Sequence, residues 1–184
     1  MATSQNLRHA ARILENGGVI AYPTEGVFGL GCLAHDVKAV DRVLKIKSRD
    51  PAMGLVVIVS NPEQLLGWVD MPVKKLSLDS SDEHPITWIV PATDEAPKWI
   101  RGDHAGIAVR QTTHPVAKAL CEAVDAPLVS TSANISGRPP ASGRFVLRSI
   151  FGTLVDYIVP GECGPALNPS EIRDIETGKI LRSA

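Results

Sequence analysis

The residues GLVVIV, at positions 54–59, form a continuous apolar run that restricts the possible folds more than any other stretch of the chain. A strand that is apolar on both faces has to be covered on both faces, as in sheets that carry helices on either side. Helical patterns and short apolar strands alternate before and after this run, which is typical of α/β or α+β architecture. We therefore expect a single α/β (α+β) domain over residues 1–184, with helices flanking the sheet.

Apolar periodicity and capping residues predict the helices around this run. Ser4 and Asp36 are the expected N-caps of two helices. The second of these helices is expected to face the core with three residues, Val37, Val40 and Leu44. Three further helices are expected, beginning at Asn61 and at Pro115 and spanning residues 142–152.

Short apolar segments predict the remaining strands, and the polar, acidic residues 70–84 predict a surface loop or irregular helix between two of them. The other predicted strands have the sequences VIAYP, ITWIVPA, GIAVR, PLVSTS, LVDYIV, EIRDI and GKILR.

Charge and cysteine content exclude several classes of protein. Nineteen Lys and Arg face 20 Asp and Glu, so the net charge of −1 creates no overall field for nucleic acid. The three cysteines, Cys32, Cys121 and Cys163, form no C-x-x-C pair, and the five histidines show no metal-ligand spacing. We therefore expect no tightly bound transition metal. The N-terminal residues do not resemble a signal peptide and no apolar run reaches membrane-span length, so a cytoplasmic location without a membrane partner is expected.

The stretch AYPTEGVFGLGC, residues 21–32, joins a predicted strand to a glycine-rich loop. It matches neither the P-loop nor the G-x-G-x-x-G pattern. Pro23 fixes φ, while Thr24 and Glu25 offer polar atoms at the end of the strand, where ligands often bind in such folds. Three glycines would let a ligand approach the main chain: Gly26, Gly29 and Gly31. A tight structural turn is the alternative interpretation of this stretch alone.

Basic residues cluster on the second predicted helix and at its end. Lys38, Arg42, Lys45 and Arg49 have the spacing of one helix face, and for Lys38, Arg42 and Lys45 we predict a solvated surface. Lys47 lies off that stripe. Because Lys47 and Arg49 are two residues apart where the helix ends, they could converge on one polyanion, with a bidentate fork from the arginine and a point charge from the lysine.

Polar residues also follow two later strands. Arg110 ends the strand in AVRQTTHP and could clamp a carboxylate, although a surface salt bridge is the alternative, and His114 is expected to cap the next helix. After PLV, five hydroxyl or amide side chains occur in seven residues: Ser130, Thr131, Ser132, Asn134 and Ser136. Such neutral groups suit a ligand with phosphate, ribose or amino-acid groups. A loop that hydrogen-bonds only to itself is the alternative.

Taken in this order, the stretches resemble the YrdC/TsaC family of threonylcarbamoyl-AMP synthases. The resemblance rests on AYPTEGVFGLGC, Lys47-Ser48-Arg49, AVR before HP, STSANISG and NPSEIRD…ILR, and it runs from about Val19 to Arg182. It implies a twisted mixed sheet with a concave, basic cavity. It also implies formation of threonylcarbamoyl-AMP and pyrophosphate from L-threonine, bicarbonate and ATP, for threonylcarbamoyladenosine at position 37 of tRNA. PSEIRD and the chain length resemble the bacterial TsaC branch, which lacks the added C-terminal domain.

The resemblance also assigns roles to individual residues. Lys47 and Arg49 are expected to be catalytic and to meet the nucleotide phosphates. The rest of the nucleotide site is expected to comprise Ser132, Asn134 and Arg182. The threonine site is expected to comprise Thr24, Arg110, Ser130 and Ser170, with Arg110 on the carboxylate. Mg²⁺ is expected with ATP, and the product is expected to pass to downstream tRNA threonylcarbamoyl-transfer proteins.

Two positions depart from the family pattern. Met53 stands where family members often have a lysine, and Glu83 and His84 replace the proline and glycine of a P-G-P-x-T turn. The first change removes a positive charge from the nucleotide side, and the second alters the rim. Neither affects the K-x-R or S-x-N residues, so the expected activity is unchanged.

Two other functions compete with this interpretation. The basic cavity could instead be a non-catalytic RNA-binding module that contacts tRNA or double-stranded RNA, although the near-neutral charge and eight aromatic residues argue against it. The carbamoyl-transfer domain of hydrogenase maturation resembles the same fold. Such proteins carry zinc-finger and acylphosphatase-like segments that this sequence does not contain.

Overall fold

The computed structural model describes residues 2–135, 139–141 and 143–184. The helices are α1 (Ser4–Glu15), α2 (Val37–Lys47), α3 (Lys98–Arg101), α4 (Pro115–Val124) and α5 (Arg144–Phe151). Short 3-10 helices span Pro51–Met53, Pro62–Leu65 and Val73–Lys75. The strands are β1 (Ile20–Pro23), β2 (Phe28–Gly31), β3 (Val56–Val59), β4 (Ile86–Pro91), β5 (Gly106–Gln111), β6 (Leu128–Val129), β7 (Thr131–Ser132), β8 (Tyr157–Ile158), β9 (Glu171–Asp174) and β10 (Ile180–Arg182).

The strands form two mixed sheets, which confirms the predicted α/β architecture but divides the expected single sheet. The larger sheet has the order β10-β9-β4-β5-β3-β6, and the smaller has the order β7-β2-β1-β8. As predicted from its apolar run, β3 lies inside the larger sheet, parallel to β5 and antiparallel to β6. Val57, Ile58 and Val59 are fully buried, so both faces of β3 are covered.

Successive residues of the strands pack alternately into two apolar clusters. Val57 of β3 and Ala21 of β1 belong to the larger cluster, which also includes buried residues of α2 and α5. Ile58 and Ile20, which project to the opposite side, belong to a second cluster with α1 and α4. Because successive strand residues face opposite ways, each of these strands contributes to both clusters.

Helix caps agree with the sequence only in part. Asp36 caps α2 as predicted, because its Oδ1 accepts from the N–H groups of Lys38 and Ala39. The predicted cap at Ser4 is wrong: Thr3 caps α1 in a reciprocal capping box. Val37 is also not inward-facing, since it is 48% exposed and α2 buries residues only from Ala39 onward.

Three other predictions need correction. His114 occupies the N-cap position of α4 as predicted, but its side chain makes no cap bond, and its Nε2 donates to Glu162 O at 3.1 Å instead. Residues 70–84 are not wholly on the surface, since two of their leucines, Leu76 and Leu78, pack into the larger cluster. The predicted strand PLVSTS breaks at Ser130, so that β6 and β7 lie in different sheets. Within the described ranges, the structure contains no helix of the length and apolar character that a bilayer crossing requires.

Candidate active site

The glycine-rich stretch is half turn and half strand. Residues 28–31 form β2, antiparallel to β1, where the sequence predicted a loop. A Cβ at Gly26 would lie 2.6 Å from Ala166 O, and one at Gly31 would lie 2.1 Å from Val129 O. The interpretation that these two glycines admit a ligand is therefore wrong, because the protein's own backbone occupies the space.

Gly29 is the glycine that faces the polar side chains. A Cβ at this position would lie 3.2 Å from Thr24 Cγ2, 3.4 Å from Ser130 Oγ and 3.5 Å from Tyr22 Cζ. Thr24 Oγ1 donates to Val27 O at 2.6 Å, which fixes the turn, and Tyr22 donates its hydroxyl to Val129 O. Burial raises the pKa of Tyr22, and a hydrogen bond with Ser130 opposes that rise. Thr24 and Ser130, predicted to share a site, therefore lie around one glycine.

Glu25 links this turn to the end of β5. Its carboxylate is 1% exposed and accepts from Thr112 Oγ1 at 2.6 Å and from the Thr113 N–H at 3.1 Å, both through Oε1. Its Oε2 lies 3.3 Å from Arg110 Nη2. Burial alone would raise the pKa of Glu25, but the Arg110 charge and these hydrogen bonds outweigh it and lower the pKa. Arg110 is thus held in a buried ion pair; we call Thr24, Glu25, Arg110 and Ser130 the Arg110 cluster.

Lys47 is the centre of a second polar group. Although it ends a helix, it is only 4% exposed. Its Nζ donates to Ser132 O at 2.6 Å and to Asn134 O and Oδ1, both at 2.8 Å. Ser132 Oγ donates to the same Asn134 Oδ1 at 2.7 Å. Burial, and secondarily the charge of Arg49, lowers the pKa of Lys47 to about 8.

Arg49 follows Lys47 after a single left-handed residue, Ser48, at φ 50°. Its Nε and Nη2 donate to Gly54 O at 3.2 and 3.0 Å, and burial lowers the pKa of its guanidinium. Gly54 itself needs φ +63°, and a Cβ there would lie 2.7 Å from Arg101 O. Met53, next to this anchor, is 58% exposed. We call Lys47, Arg49, Ser132 and Asn134 the Lys47 cluster.

The two clusters differ in charge. Arg110 has a carboxylate partner, whereas in the described parts of the chain neither Lys47 nor Arg49 forms an ion pair with an acidic side chain. The hydrogen bonds of Lys47 and Arg49 go to carbonyl and amide oxygens instead. The Lys47 cluster therefore holds two positive charges that no acidic side chain among the described residues neutralises, while the Arg110 cluster is close to neutral.

The segment between β8 and β9 crosses the Arg110 cluster. Gly164 N donates to Thr24 O and Ala166 N donates to Glu25 O, each at 2.9 Å. The segment ends at Ser170, whose hydroxyl is hydrogen-bonded to that of Thr87 at 2.8 Å. Arg182 donates to Ser170 O at 2.6 Å, so these two predicted site residues lie together on the C-terminal strands.

Sheet register places Ser170 on the same side as Arg110. Trp88 of β4 pairs with Val109 of β5, and both belong to the larger apolar cluster. Because side chains alternate along a strand, their neighbours Thr87 and Arg110 project to the opposite face. The hydroxyl that Ser170 contacts is therefore on the face that carries Arg110.

An open cleft of about 320 Å³ adjoins the Arg110 cluster. Its lining comprises Leu78, Asp79, Ser80, Gln111, Thr112, Thr113 and Lys118. A larger cleft of about 440 Å³ lies elsewhere, between α1, Arg42 and Asp156, and contains none of the predicted site residues. Among the residues with described positions, no group of three or more His, Cys, Asp or Glu could hold a metal ion.

Sequence reasoning missed some members of this site. The sequence indicates Glu25 only as a polar residue in the turn, and it predicts no role for Thr112 and Thr113. Their signal was present in AVRQTTHP, where two hydroxyl residues directly follow the strand that ends near Arg110. Ser136, one of the polar residues predicted from STSANISG, lies outside the described residues.

Comparison with known proteins gives concordant results. The Sua5/YciO/YrdC family model, described as "Telomere recombination", matches residues 12–184. A threonylcarbamoyl-AMP synthase of Xanthomonas axonopodis pv. citri is 46% identical over 99% of this chain and 100% of its own length. A protein of the same name from Nitrosococcus oceani is 45% identical over 96% of both chains.

Among solved structures, P. abyssi Sua5 complexed with L-threonine is similar, with a TM-score of 0.83 and 29% identity over 96% of this chain. The present chain spans about half of that protein, 53% of its length. The similarity supports the α/β fold independently of the sequence motifs.

Proposed function

The chain belongs to the Sua5/YciO/YrdC family, and on that premise we propose that it is a threonylcarbamoyl-AMP synthase. It would convert L-threonine, bicarbonate and ATP to threonylcarbamoyl-AMP and pyrophosphate, as a nucleotidyltransferase in the modification of tRNA. The full-length similarity to proteins of that name supports the activity. We assign the site to one YrdC-like domain over residues 1–184.

The observation that carries the proposal is the difference in charge between the two clusters. ATP is a polyanion, and the Lys47 cluster offers two positive charges that have no acidic partner in the described parts of the chain. Threonine is a zwitterion with no net charge, and the Arg110 cluster is close to neutral because Glu25 compensates Arg110. Each cluster therefore has the charge that one of the two substrates requires.

The first step forms a carbamate. The ammonium group of threonine first loses one proton to solvent. The free amine nitrogen then bonds to the carbon of CO₂ with loss of a second proton, or to the carbon of bicarbonate with loss of one water. In our proposal Arg110 binds the threonine carboxylate through terminal N–H groups of its guanidinium that Glu25 does not use. Thr24, Ser130 and Ser170 supply hydroxyl groups around the substrate. Holding the amine beside the carbon source accounts for much of the rate gain.

The second step transfers the adenylyl group. A carbamate oxygen bonds to the α-phosphorus while the bond from that phosphorus to the bridging oxygen breaks, and pyrophosphate leaves with the electron pair. Negative charge grows on the phosphoryl oxygens, so Lys47 and Arg49 would stabilise the transition state. Ser132, Asn134 and Arg182 would bind the rest of the nucleotide. No nucleophilic side chain is needed.

Mg²⁺ would enter with ATP as part of the substrate. This ion commonly keeps several waters and binds through substrate phosphates, which suits a site whose described residues offer no cluster of carboxylates. The ion would neutralise phosphate charge, and Lys47 and Arg49 would still orient the chain of phosphates. We continue to expect no tightly bound transition metal.

The test is threonine-dependent release of pyrophosphate by the purified protein with ATP, Mg²⁺ and bicarbonate. We expect release only when threonine and bicarbonate are both present. Equal release without either of them would refute the assignment. A protein that shows no turnover but binds tRNA or double-stranded RNA with a steep salt dependence would support the RNA-binding alternative instead.

The product is a reactive mixed anhydride, so we propose that it passes to tRNA threonylcarbamoyl-transfer proteins in the cytoplasm. Transfer would consume the threonylcarbamoyl group and release AMP. Contact with tRNA itself is not required for the first reaction, and we keep it as a subordinate proposal.

A further inference from the structure

Glu25 holds the end of β5 from outside the larger sheet. One carboxylate oxygen, Oε1, accepts from Thr112 Oγ1 and from the Thr113 N–H, and the other, Oε2, faces Arg110 Nη2 at 3.3 Å. A single buried side chain therefore contacts Arg110 and two of the next three residues. The turn that carries Glu25 is itself fixed, because its main-chain oxygen accepts from Ala166 N.

The contact with Glu25 leaves much of Arg110 unused. A guanidinium has five N–H donors in a fixed plane, yet in the described structure Arg110 makes only the ion pair at Nη2. Its Nε is buried without a hydrogen-bond partner among the described residues, and so is Glu25 Oε2. The pair thus fixes the position of the guanidinium without saturating it, and because Nε is enclosed by protein, the donors left for a second carboxylate are at the Nη end.

We propose that Glu25 is a positioning residue that aims Arg110 at the threonine carboxylate without touching threonine itself. This inference rests on the proposed function and deepens it, because it makes the threonine affinity depend on an acidic residue. The alternative is competition, in which Glu25 only draws Arg110 away from the substrate. The two ideas predict opposite signs when Glu25 is neutralised.

The test is steady-state kinetics of Glu25→Gln with threonine and ATP varied separately. Glutamine retains an oxygen for Thr112 and Thr113 but sets an amide against the guanidinium, so Arg110 should swing away. We expect the threonine KM to rise about 10-fold or more, the order of a lost hydrogen bond to a charged group, while the Kd of ATP measured without threonine stays within about 2-fold of wild type. A lower threonine KM would establish competition and overturn the proposal.

A second variant keeps the test decisive if Glu25→Gln does not fold. Thr112→Val removes one hydrogen bond to Glu25 Oε1 with little change of shape, and we expect a rise in threonine KM of about 3-fold. An unchanged threonine KM in this variant, when Glu25→Gln cannot be obtained, would also refute the proposal.

A double-mutant cycle and a matched control separate positioning from general stability. In the Arg110→Ala background, Glu25→Gln should change the threonine KM by less than about 2-fold, because the residue it positions is gone. An equal rise in both backgrounds would mean that Glu25 acts without Arg110. The control is Asp156→Asn, which breaks another ion pair, with Arg42, and should lower the Tm without changing either KM.

This design also separates the inference from the proposed function. Absence of threonine-dependent pyrophosphate release by the wild-type protein would refute the function. An active wild type with an unchanged threonine KM in Glu25→Gln would refute only the role of Glu25.

Discussion

The Arg110 cluster and the Lys47 cluster hold buried cations in different ways. Arg110 is paired with Glu25, so the charge is compensated inside the protein. Lys47 and Arg49 are held by the carbonyl oxygens of Ser132, Asn134 and Gly54, which orient the cations without neutralising them. In our proposal, this difference suits the Arg110 cluster to a substrate without net charge and the Lys47 cluster to a highly charged one.

The energetic cost of the two arrangements also differs. A buried ion pair is costly to break but carries no net charge. Buried cations with only neutral partners are disfavoured, and the pKa of about 8 for Lys47 records that cost. A bound polyphosphate would stabilise the charged form of Lys47. Part of the binding free energy of ATP would therefore come from removing the unfavourable burial of a cation in the free protein.

The largest effect is expected from removing Lys47, the charge that we propose acts on the reacting phosphate. Lys47→Ala should lower kcat about 10²- to 10³-fold, the range found when one preorganised electrostatic group at a transition state is deleted. The control is Lys45→Ala, which removes an exposed lysine of the same helix that pairs with Asp41. Steady-state kinetics should show no change for Lys45→Ala, and a similar loss in both variants would mean that Lys47 has no special role.

The next largest effect is expected in the Arg110 cluster. Arg110→Ala should raise the threonine KM about 10- to 150-fold, since a guanidinium–carboxylate pair is lost. Arg110→Lys should not restore it, because a point charge cannot reproduce the planar fork. Steady-state kinetics with threonine varied at saturating ATP measure the threonine KM of each variant. A wild-type threonine KM in Arg110→Lys would show that charge alone suffices there.

The pH dependence of ATP binding tests the role of the Lys47 cluster. Because the pKa of Lys47 is lowered to about 8, the ammonium loses its proton as the pH rises through that value. If only the protonated form binds, the Kd of ATP should rise up to about 10-fold between about pH 7 and about pH 9. Calorimetry on wild type and Lys47→Arg tests this, and the arginine variant should show a flat profile. A flat profile for wild type would contradict the prediction.

The smallest effect is expected at the edge of the Lys47 cluster. Met53→Lys adds an exposed positive charge beside the Arg49 anchor and restores the residue common in the family. It should tighten ATP binding about 2- to 5-fold, the range of exposed charge pairs. Leu66→Lys, at a more exposed position past the other end of β3, should leave the Kd unchanged. Equal tightening by both variants would indicate a general charge effect.

Local signals in the sequence were sufficient for much of the fold. Asp36 caps its helix as predicted, and the apolar run gives β3 its buried position, because capping and two-sided burial depend on neighbouring residues. The position of Lys47 off the exposed stripe correctly indicated a separate environment. The break at Ser130 was not predictable, because it depends on which sheet each half of PLVSTS joins.

The pairing inside the site could not be predicted for the same reason. Glu25 and Thr112 are 87 residues apart in sequence, and nothing local to either one indicates the other. Glycines 26 and 31 were misinterpreted because a missing side chain suits a ligand and a neighbouring backbone equally well. Leu76 and Leu78 lie in a polar segment whose composition hides their burial.

The most direct test of the two-cluster account is calorimetric titration of ATP, without threonine, into wild type, Arg49→Ala and Arg110→Ala. We predict that Arg49→Ala weakens ATP binding about 10-fold or more, as expected for a lost charged hydrogen bond. Arg110→Ala should bind ATP like wild type, because Arg110 belongs to the Arg110 cluster, whose charge Glu25 compensates. Loss of ATP binding in Arg110→Ala, with normal binding in Arg49→Ala, would contradict the account and reverse the roles of the two clusters.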